Sequence, residues 1–183
     1  VIGDMACGEF GKGKMSAPLE IFEEISNFLA EQIKNKKIKA LVTAGPTNEY
    51  IDPVRFITNK SSGKQGYEIA KSLFRRGFDT TLISGPTNLK TEDGINLINV
   101  ETADEMFKAT QKNLPTDIAI FSAAVADFKI NYKNKNKIKK QKNLSINLEK
   151  NIDILNFVSN HNSMRPKLVI GFAAETNNLN KNA

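Results

Sequence analysis

The sequence predicts an α/β fold in which a parallel sheet is covered by helices on both faces. Short apolar runs, each ended by glycine, proline or a polar cluster, alternate along the chain with segments of helical periodicity. This alternation favours parallel strands, because their crossover connections usually contain a helix. The chain has 183 residues, of which 40% are hydrophobic, so it can bury the core of one such Rossmann-like domain and carry additional peptide.

The N-terminal segment differs from the rest of the chain. Residues 1–15 contain four unevenly spaced glycines, which predicts a loop. A helix is predicted from Pro18 to Gln32, because Ser16 can cap it and apolar residues then recur at helical spacing. The polar stretch from Lys34 to Lys37 is the best candidate for a boundary. We therefore expect two parts, residues 1–34 and 35–183.

The predicted elements of the second part alternate in type. Its helices are predicted at Gly66–Arg76, Thr102–Asn113 and Ile152–Asn160. Its strands are predicted within residues 37–47, 79–87, 94–100, 117–127 and 167–175, with a short one at 144–149. After the last strand the chain stops in the polar sequence TNNLNKNA, where a covering helix normally follows. We therefore expect a domain that is truncated at its C-terminus.

Composition narrows the classes of function. No apolar run approaches the ~20 residues of a membrane span, and the N-terminus lacks a signal pattern. These features predict a soluble cytoplasmic protein. One cysteine and one histidine leave little from which to build a disulfide framework or a zinc site. Any metal is expected to be oxygen-bound, with Mg²⁺ carried on a nucleotide as the first candidate.

The positive charge is concentrated in one segment. The chain has a net charge of +6, and lysines recur from Lys129 to Lys142. Such a segment can be a solvated loop, a nucleic-acid-binding arm or a contact for another anionic ligand. Within it, the KIKK sequence of Lys137–Lys140 could bring a lysine onto a triphosphate and neutralise the charge that develops during phosphoryl or nucleotidyl transfer.

The loops after the predicted strands are the first places to look for a site, since ligands of open parallel sheets bind at the carboxyl ends of the strands. The long connection after the first strand ends in Ser61, Ser62 and Gly63, just before a helix. Free backbone N–H groups there could receive phosphate oxygens, although an ordinary helix start has the same pattern. Neither the Walker pattern nor G-x-G-x-x-G occurs in this turn.

Further polar candidates lie in the same loops. Arg55 and Asn59 would supply a cation and an amide, unless they are a surface arginine and a turn asparagine. After the fourth strand, the sequence SAAVADF combines small residues, against which a planar base could lie, with the carboxylate of Asp127. Asp127 could accept from a base amino group, hold a metal ion or cap a turn.

Taken together, these segments resemble a known family. From about Ile38 to Asn180 the chain is similar to the ligase half of the bacterial bifunctional phosphopantothenoylcysteine decarboxylase / phosphopantothenate–cysteine ligase. The resemblance is carried by TAGPTNEYIDPVRFITNKSSGKQG, LISGPT, AAVADF, KIKK and GFAAETNN, in that order. It implies CTP-dependent ligation of cysteine to 4′-phosphopantothenate through an acyl-cytidylate, in coenzyme A biosynthesis, by an enzyme that is expected to be a homodimer.

The resemblance also implies roles for individual residues. Asn59 matches the asparagine that handles the acyl-cytidylate, Arg55 its neighbouring arginine, and Lys137 the lysine that supports the triphosphate. The implied nucleotide contacts are Phe121, Ser122, Ala123, Asp127, Lys137 and Asn151, with Asp127 also a candidate for holding Mg²⁺. The family usually reads Lys-Asn-Pro-Asp-Ile around Asn151, whereas this chain has Ile152 in place of the proline.

The N-terminal sequence MACGEFGKGKM resembles the substrate-covering flap of the decarboxylase half. On this resemblance, residues 1–34 are a remnant of that half, and Cys7 matches the cysteine that protonates the enethiolate after carbon dioxide leaves. The flavin-binding motifs are not recognisable in the sequence. FMN is therefore expected only for the decarboxylase part, which we do not expect to act in this chain alone.

Two other functions remain open from the residues themselves. A nicotinamide-dependent oxidoreductase has a related fold, but the glycine fingerprint is missing from its expected turn. A nucleic-acid-binding module could use the Lys129–Lys142 segment, although only Phe128 and Tyr132 supply aromatic rings there.

Overall fold

The computed structural model describes residues 2–4, 10–12, 23, 37–140 and 142–172. The chain divides into two compact units, Val1–Lys37 and Ile38–Ala183. In the first unit, β1 (Ile2–Asp4) pairs antiparallel with β2 (Phe10–Lys12), so the prediction of a loop over residues 1–15 missed two short strands. The predicted helix from Pro18 to Gln32 lies outside the described residues except for the helical Glu23, and Cys7 lies outside them as well.

The second unit contains the predicted parallel sheet. Its strands are β3 (Lys39–Ala44), β6 (Asp79–Ser84), β7 (Asn96–Asn99), β8 (Ile118–Phe121) and β11 (Leu168–Gly171). They lie in the order β11-β8-β3-β6-β7, and every neighbouring pair is parallel. The five predicted strands are thus confirmed with shorter bounds, and residues 173–175 of the last prediction lie outside the described residues.

Helices cover both faces of this sheet. Leu41, Ile83 and Ala119 belong to a core cluster with residues of α2 (Ala103–Lys112) and α3 (Ile154–Ser159). Their strand neighbours Val42 and Leu82 belong to a second cluster, with residues of α1 (Lys64–Arg75). Successive strand residues point to opposite faces, which explains why adjacent positions in these strands, such as Leu41 and Val42, are both apolar. The α/β fold with helices on both faces is confirmed.

Local sequence determines where two of these helices begin. At α2, the hydroxyl of Thr102 accepts a hydrogen bond from the backbone N–H of Glu105 at 3.2 Å, and the Glu105 carboxylate accepts one from the N–H of Thr102 at 3.4 Å. This reciprocal capping box satisfies N–H groups that have no partner within the helix. At α3, the carboxylate of Asp153 accepts from the N–H of Asn156 at 2.8 Å.

Two antiparallel ribbons lie outside the main sheet. In one, β4 (Asn48–Tyr50) pairs with β5 (Phe56–Thr58), and in the other β9 (Phe128–Ile130) pairs with β10 (Leu148–Lys150). The β4–β5 hairpin falls in the connection that the sequence predicted as a long loop. Three-residue strands are too short to show alternation, so only their mutual pairing reveals them. The strand predicted at 144–149 lies at 148–150, where it pairs with β9.

The turns after the strands are closely packed at the carboxyl end of the sheet. A Cβ atom added to Gly85 would lie 1.6 Å from the carbonyl oxygen of Pro46, and one added to Gly63 would lie 2.7 Å from Thr87 Cγ2. Gly63 precedes α1 with a φ of 74°. Glycine is therefore required at both positions, since a side chain cannot fit between these turns. Among the described residues, the longest helix has 12 residues, and none is long and apolar enough to span a membrane.

Candidate functional site

A cleft of about 520 Å³ opens at the carboxyl ends of β3, β8 and β11. Its walls come from the ends of these strands, the loop 123–127, the segment 150–155 that leads into α3, and one residue that follows β5. The strand-end residues are Thr43, Phe121 and Phe172, and the residue after β5 is Asn59. This is the edge at which open parallel sheets bind ligands.

Buried threonines fix the loop 123–127 that forms one wall. The backbone N–H of Ala126 donates to the hydroxyl of Thr47 at 3.0 Å, and the N–H of Ala123 donates to that of Thr43 at 3.3 Å. Between them, the N–H of Ala124 donates to the carbonyl oxygen of Gly45 at 2.9 Å. These bonds tie the loop to β3 and to the turn that follows it. The small side chains of the loop leave its backbone accessible from the cleft.

Two asparagines hold the same loop through neighbouring carbonyl groups. Asn59 Nδ2 lies 2.9 Å from the carbonyl oxygen of Val125, and Asn151 Nδ2 lies 2.8 Å from that of Ala126. Carbonyl oxygens only accept hydrogen bonds, so each amide must present its NH₂ group to the loop. The Oδ1 atoms therefore face away from these carbonyls and are available to a donor on a ligand. Asn59 is exposed, whereas Asn151 is buried and its own N–H donates to the carbonyl of Asp127 at 2.8 Å.

The charged groups of the cleft are few. Asp127 and Lys150 are exposed at its wall, and Asp153 lines it while its carboxylate caps α3. Across the described ranges, no group of three or more histidine, cysteine, aspartate or glutamate side chains is arranged to hold a metal ion. Asp127 can thus contribute one carboxylate to a metal, but these ranges supply no ready-made protein cage around it.

An ion pair between the buried Asp52 and the partly exposed Arg55 lies on the β4–β5 hairpin. The Asp52 carboxylate accepts from Arg55 Nη2 at 2.5 Å and from the N–H of Ile138 at 3.1 Å, and Arg55 Nη2 also donates to the carbonyl oxygen of Ile138 at 2.9 Å. Burial raises the pKa of Asp52, but hydrogen bonds from Arg55 and from the backbone N–H groups of Val54, Ile138 and Arg55 outweigh it and hold this pKa well below its usual range. The pair joins the hairpin to the segment that carries Lys137.

The structure brings together some of the residues predicted from the sequence. Those that line the cleft are Asn59, Phe121, Ala123, Asp127 and Asn151. Those that are not among its lining residues are Arg55, Ser61, Ser62, Gly63, Ser122 and Lys137. Lys137 is exposed and directly precedes Ile138. The functional roles predicted for all of these residues stay predictions.

The start of α1 shows how its N–H groups are used. Ser61 Oγ accepts from the N–H of Gly63 at 3.3 Å, and Ser62 Oγ accepts from the N–H of Lys64 at 3.4 Å. A phosphate bound here would have to compete with these two hydroxyl groups for the same donors. The predicted phosphate-binding role of Ser61, Ser62 and Gly63 therefore requires the serine side chains to rotate.

Sequence reasoning missed three residues that shape the site: Thr43, Thr47 and Asp52. The two threonines lie in a buried run where polar side chains are unusual, which is a usable signal that each has a fixed partner. Asp52 is followed by Pro53 and, three residues later, by Arg55, a pattern typical of a turn in which the carboxylate accepts from the next backbone N–H groups. That pattern predicts the turn but not the distant contact with Ile138.

Comparison with known proteins identifies related sequences. A family model described as the DNA/pantothenate metabolism flavoprotein C-terminal domain matches residues 35–183. A protein of Haemophilus influenzae named coenzyme A biosynthesis bifunctional protein CoaBC is 45% identical over 179 residues, which are 97% of this chain and 44% of that protein. The chain thus spans less than half the length of this curated relative.

Solved structures share the fold. The crystal structure of the C-terminal domain of a coenzyme A biosynthesis bifunctional protein CoaBC is 40% identical, with a TM-score of 0.66, and covers 79% of this chain and 68% of that one. A DNA/pantothenate metabolism flavoprotein from Streptococcus pneumoniae is 26% identical, with a TM-score of 0.62, and covers 72% of this chain and 67% of the other.

Proposed function

Because this chain belongs to the family of the DNA/pantothenate metabolism flavoprotein C-terminal domain, we propose that it forms the site for CTP-dependent ligation of cysteine to 4′-phosphopantothenate in coenzyme A biosynthesis. The name of its relative from Haemophilus influenzae supports the pathway. The assignment of the ligation to this part of the protein is our proposal. The observation that carries it is the cleft at the carboxyl end of the sheet, which gathers Asn59, Asp127 and Asn151 around a loop of small residues.

The proposed reaction has two steps. A carboxylate oxygen of phosphopantothenate attacks the α-phosphorus of CTP, which forms an acyl-cytidylate and releases pyrophosphate. The amine of cysteine then attacks the acyl carbon, forms the amide bond, loses a proton and displaces CMP. Both steps involve concentrated negative charge, so hydrogen-bond donors and a nearby ammonium group are the appropriate protein contributions.

The walls of the cleft suit a nucleoside. Phe121 and Ala123 offer apolar surface to a planar base, and the small side chains of the loop allow close approach to its backbone. The Oδ1 atoms of Asn59 and Asn151 can accept hydrogen bonds, since both NH₂ groups are used by the loop. Asp127 can accept from a hydroxyl or amino group. Lys137, on the exposed basic segment, would supply a positive charge for the triphosphate.

Magnesium would be carried mainly by the nucleotide. Mg²⁺ keeps several waters and is commonly held by one or two carboxylates together with substrate phosphates. A single exposed carboxylate, that of Asp127, fits such a role, whereas the described ranges contain no cluster of three protein ligands. The link between FMN, Cys7 and decarboxylation belongs to the first unit, and it stays a prediction because Cys7 lies outside the described residues.

Exposed apolar side chains support the expected homodimer. Val54 and Phe56 on the β4–β5 hairpin are 58% and 45% exposed, and Phe128 and Leu148 on the β9–β10 ribbon are 53% and 47% exposed. Clustered exposed apolar side chains typically mark protein–protein interfaces, so these two ribbons are our candidates for the contact between the copies. Light scattering on the purified chain should give the mass of two copies, and exchange of Phe56 and Leu148 for serine should give the mass of one.

Ligand titration separates the proposal from its alternatives. The full chain is titrated by calorimetry with CTP and Mg²⁺, with NADPH, and with a short single-stranded DNA. Saturable binding of CTP alone supports the proposal. Binding of NADPH alone would favour an oxidoreductase, and binding of the DNA with a steep dependence on salt would favour the nucleic-acid-binding module.

A further inference from the structure

Asp52 has more hydrogen-bond partners than a turn requires. Its side chain is fully buried. Oδ1 accepts from the N–H groups of Val54 and Arg55, both at 2.9 Å, and these two bonds complete the local turn. Oδ2 accepts from Arg55 Nε at 3.0 Å, from Arg55 Nη2 at 2.5 Å and from the N–H of Ile138 at 3.1 Å. One oxygen therefore builds the hairpin, while the other binds a segment that is 86 residues away.

Ile138 is held through both of its backbone polar groups. Asp52 accepts from its N–H, and Arg55 Nη2 donates to its carbonyl oxygen at 2.9 Å. Its side chain is half-buried and lines a hollow of about 190 Å³ beside Ile51 and Ile130. Four residues earlier, the N–H of Asn134 donates to the carbonyl oxygen of Ile51 at 3.0 Å. Hydrogen bonds to backbone groups thus dock the basic segment on the hairpin at two points, Asn134 and Ile138, and the second point is adjacent to Lys137.

This docking holds a segment whose lysine side chains repel one another. The segment from Lys129 to Lys142 carries many like charges, and such stretches extend and sample many conformations when nothing holds them. Charge-assisted hydrogen bonds are stronger than neutral ones, and a buried carboxylate provides them to an N–H group next to Lys137. Within the described ranges, the contacts of Ile138 with Asp52 and Arg55 are the hydrogen bonds that hold the backbone immediately beside Lys137.

We propose that Asp52 is a positioning residue which, together with Arg55, fixes the backbone beside Lys137 and so determines where its ammonium group meets the triphosphate. The inference rests on the proposed CTP site. It gives Arg55 a different role from the one implied by the family resemblance, because its guanidinium is engaged by Asp52 and Ile138. Asp52 need not touch the substrate to affect the first half of the reaction.

The variant Asp52→Asn tests this with little change in shape. The asparagine Oδ1 can still accept from Val54 and Arg55, so the local turn is kept. Its NH₂ group would then face Arg55 and the N–H of Ile138, all of which are donors. The contacts of Oδ2 with the Arg55 side chain and with Ile138 are therefore lost together, while those of Oδ1 are kept. Asp104→Asn is a matched control, since Asp104 pairs only with Lys108 on the exposed face of α2 among the described residues.

Two measurements on the full chain are needed, after circular dichroism has shown that each variant is folded. Hydrogen exchange of a peptide that contains Ile138 reports docking without any ligand, and calorimetry with CTP and Mg²⁺ reports the site. In Asp52→Asn we expect exchange at Ile138 to be at least about tenfold faster, as for loss of a hydrogen bond to a charged group, and affinity for CTP to fall about tenfold or more. Asp104→Asn should change neither quantity.

The outcomes distinguish the two proposals. Unchanged exchange at Ile138 in Asp52→Asn would overturn the docking role. Faster exchange with unchanged CTP affinity would overturn the positioning of Lys137. If the double variant Asp52→Asn/Lys137→Gln binds CTP no more weakly than Lys137→Gln alone, the two residues act through one another, as proposed. Failure of the unaltered chain to bind CTP would instead overturn the ligase assignment, whatever the exchange shows.

Discussion

The side-chain amide of Asn59 lies 2.9 Å from the carbonyl oxygen of Val125, so the chain that follows β5 and the loop that follows β8 are joined at the mouth of the cleft. The amide also lies 3.5 Å from the carbonyl oxygen of Ala124. The side chain of Asn59 thus helps to hold one wall of the cleft in place, and its own oxygen is left available to a ligand.

The variant Asn59→Asp should impair mainly the second half-reaction. A carboxylate can only accept, so it would repel the carbonyl oxygen of Val125 as well as the anionic acyl-cytidylate. We expect the acyl-cytidylate to form and its conversion to product to slow at least about tenfold. Quenched-flow analysis should show the intermediate accumulating. The control Asn96→Asp lies at the opposite end of the sheet and should behave like the unaltered chain. If Asn59→Asp and Asn96→Asp slow the conversion equally, the role proposed for Asn59 is contradicted.

Lys137→Gln should abolish formation of the acyl-cytidylate. Glutamine keeps much of the length of lysine but removes the positive charge that opposes the charge developing on the triphosphate. A coupled assay measures the release of pyrophosphate, and its rate should fall by about a hundredfold or more. Lys112→Gln, in the last turn of α2, removes an equal charge away from the cleft and should have no such effect. Unchanged pyrophosphate release in the Lys137 variant would refute the role.

Gly85→Ala should destabilise the fold strongly. The added Cβ would lie 1.6 Å from the carbonyl oxygen of Pro46, so two turns at the cleft edge would have to separate. We expect the free energy of unfolding to fall by about 2 to 3 kcal/mol, as for overpacking. Gly77→Ala provides a comparison in which only the backbone conformation is unfavourable. Gly77 has a φ of 86°, and an alanine held at this φ should lower the free energy of unfolding by about 1 to 2 kcal/mol. Urea denaturation measures the free energy of unfolding of both variants, and we expect the smaller decrease for Gly77→Ala.

The contribution of Asp52 to stability should depend on pH in a defined direction. Its pKa is lower in the folded protein than in the unfolded chain, where it is about 3.9. Near and below that unfolded value, unfolding therefore takes up a proton at Asp52. The stabilisation by its carboxylate is present above about pH 4 and declines as the pH falls further. The difference in unfolding free energy between the unaltered chain and Asp52→Asn should be constant from pH 5 to 8. It should then shrink below pH 4, and a difference that grows on acidification would contradict this assignment.

The sequence predicted the sheet well because its strands are buried on both faces. Leu41 and Val42 point to different cores, yet both are apolar, so the run is conspicuous. The β4–β5 hairpin was not predicted, since Asn48 and Thr58 pair with each other across a turn and carry no periodic signal. Its pairing depends on contacts that only the folded chain makes.

The site was predicted in part for a related reason. Asn59 and Asp127 lie in the connections that follow β3 and β8, two neighbouring strands of the parallel sheet, so their meeting in one cleft follows from the order of the elements. The pairing of Asp52 with Ile138 could not be predicted in this way. It depends on how the hairpin folds over the basic segment, and no local pattern at residue 138 indicates a buried carboxylate as its partner.

The cleft depends on partners that are remote along the chain, since 66 residues separate Asn59 from Val125 and 25 separate Asn151 from Ala126. Bringing such distant segments together is entropically costly and slows folding. During synthesis, no early portion of the second unit would possess the completed cavity, which also needs Phe172. Ligand capture would consequently report that the polypeptide has folded as far as β11.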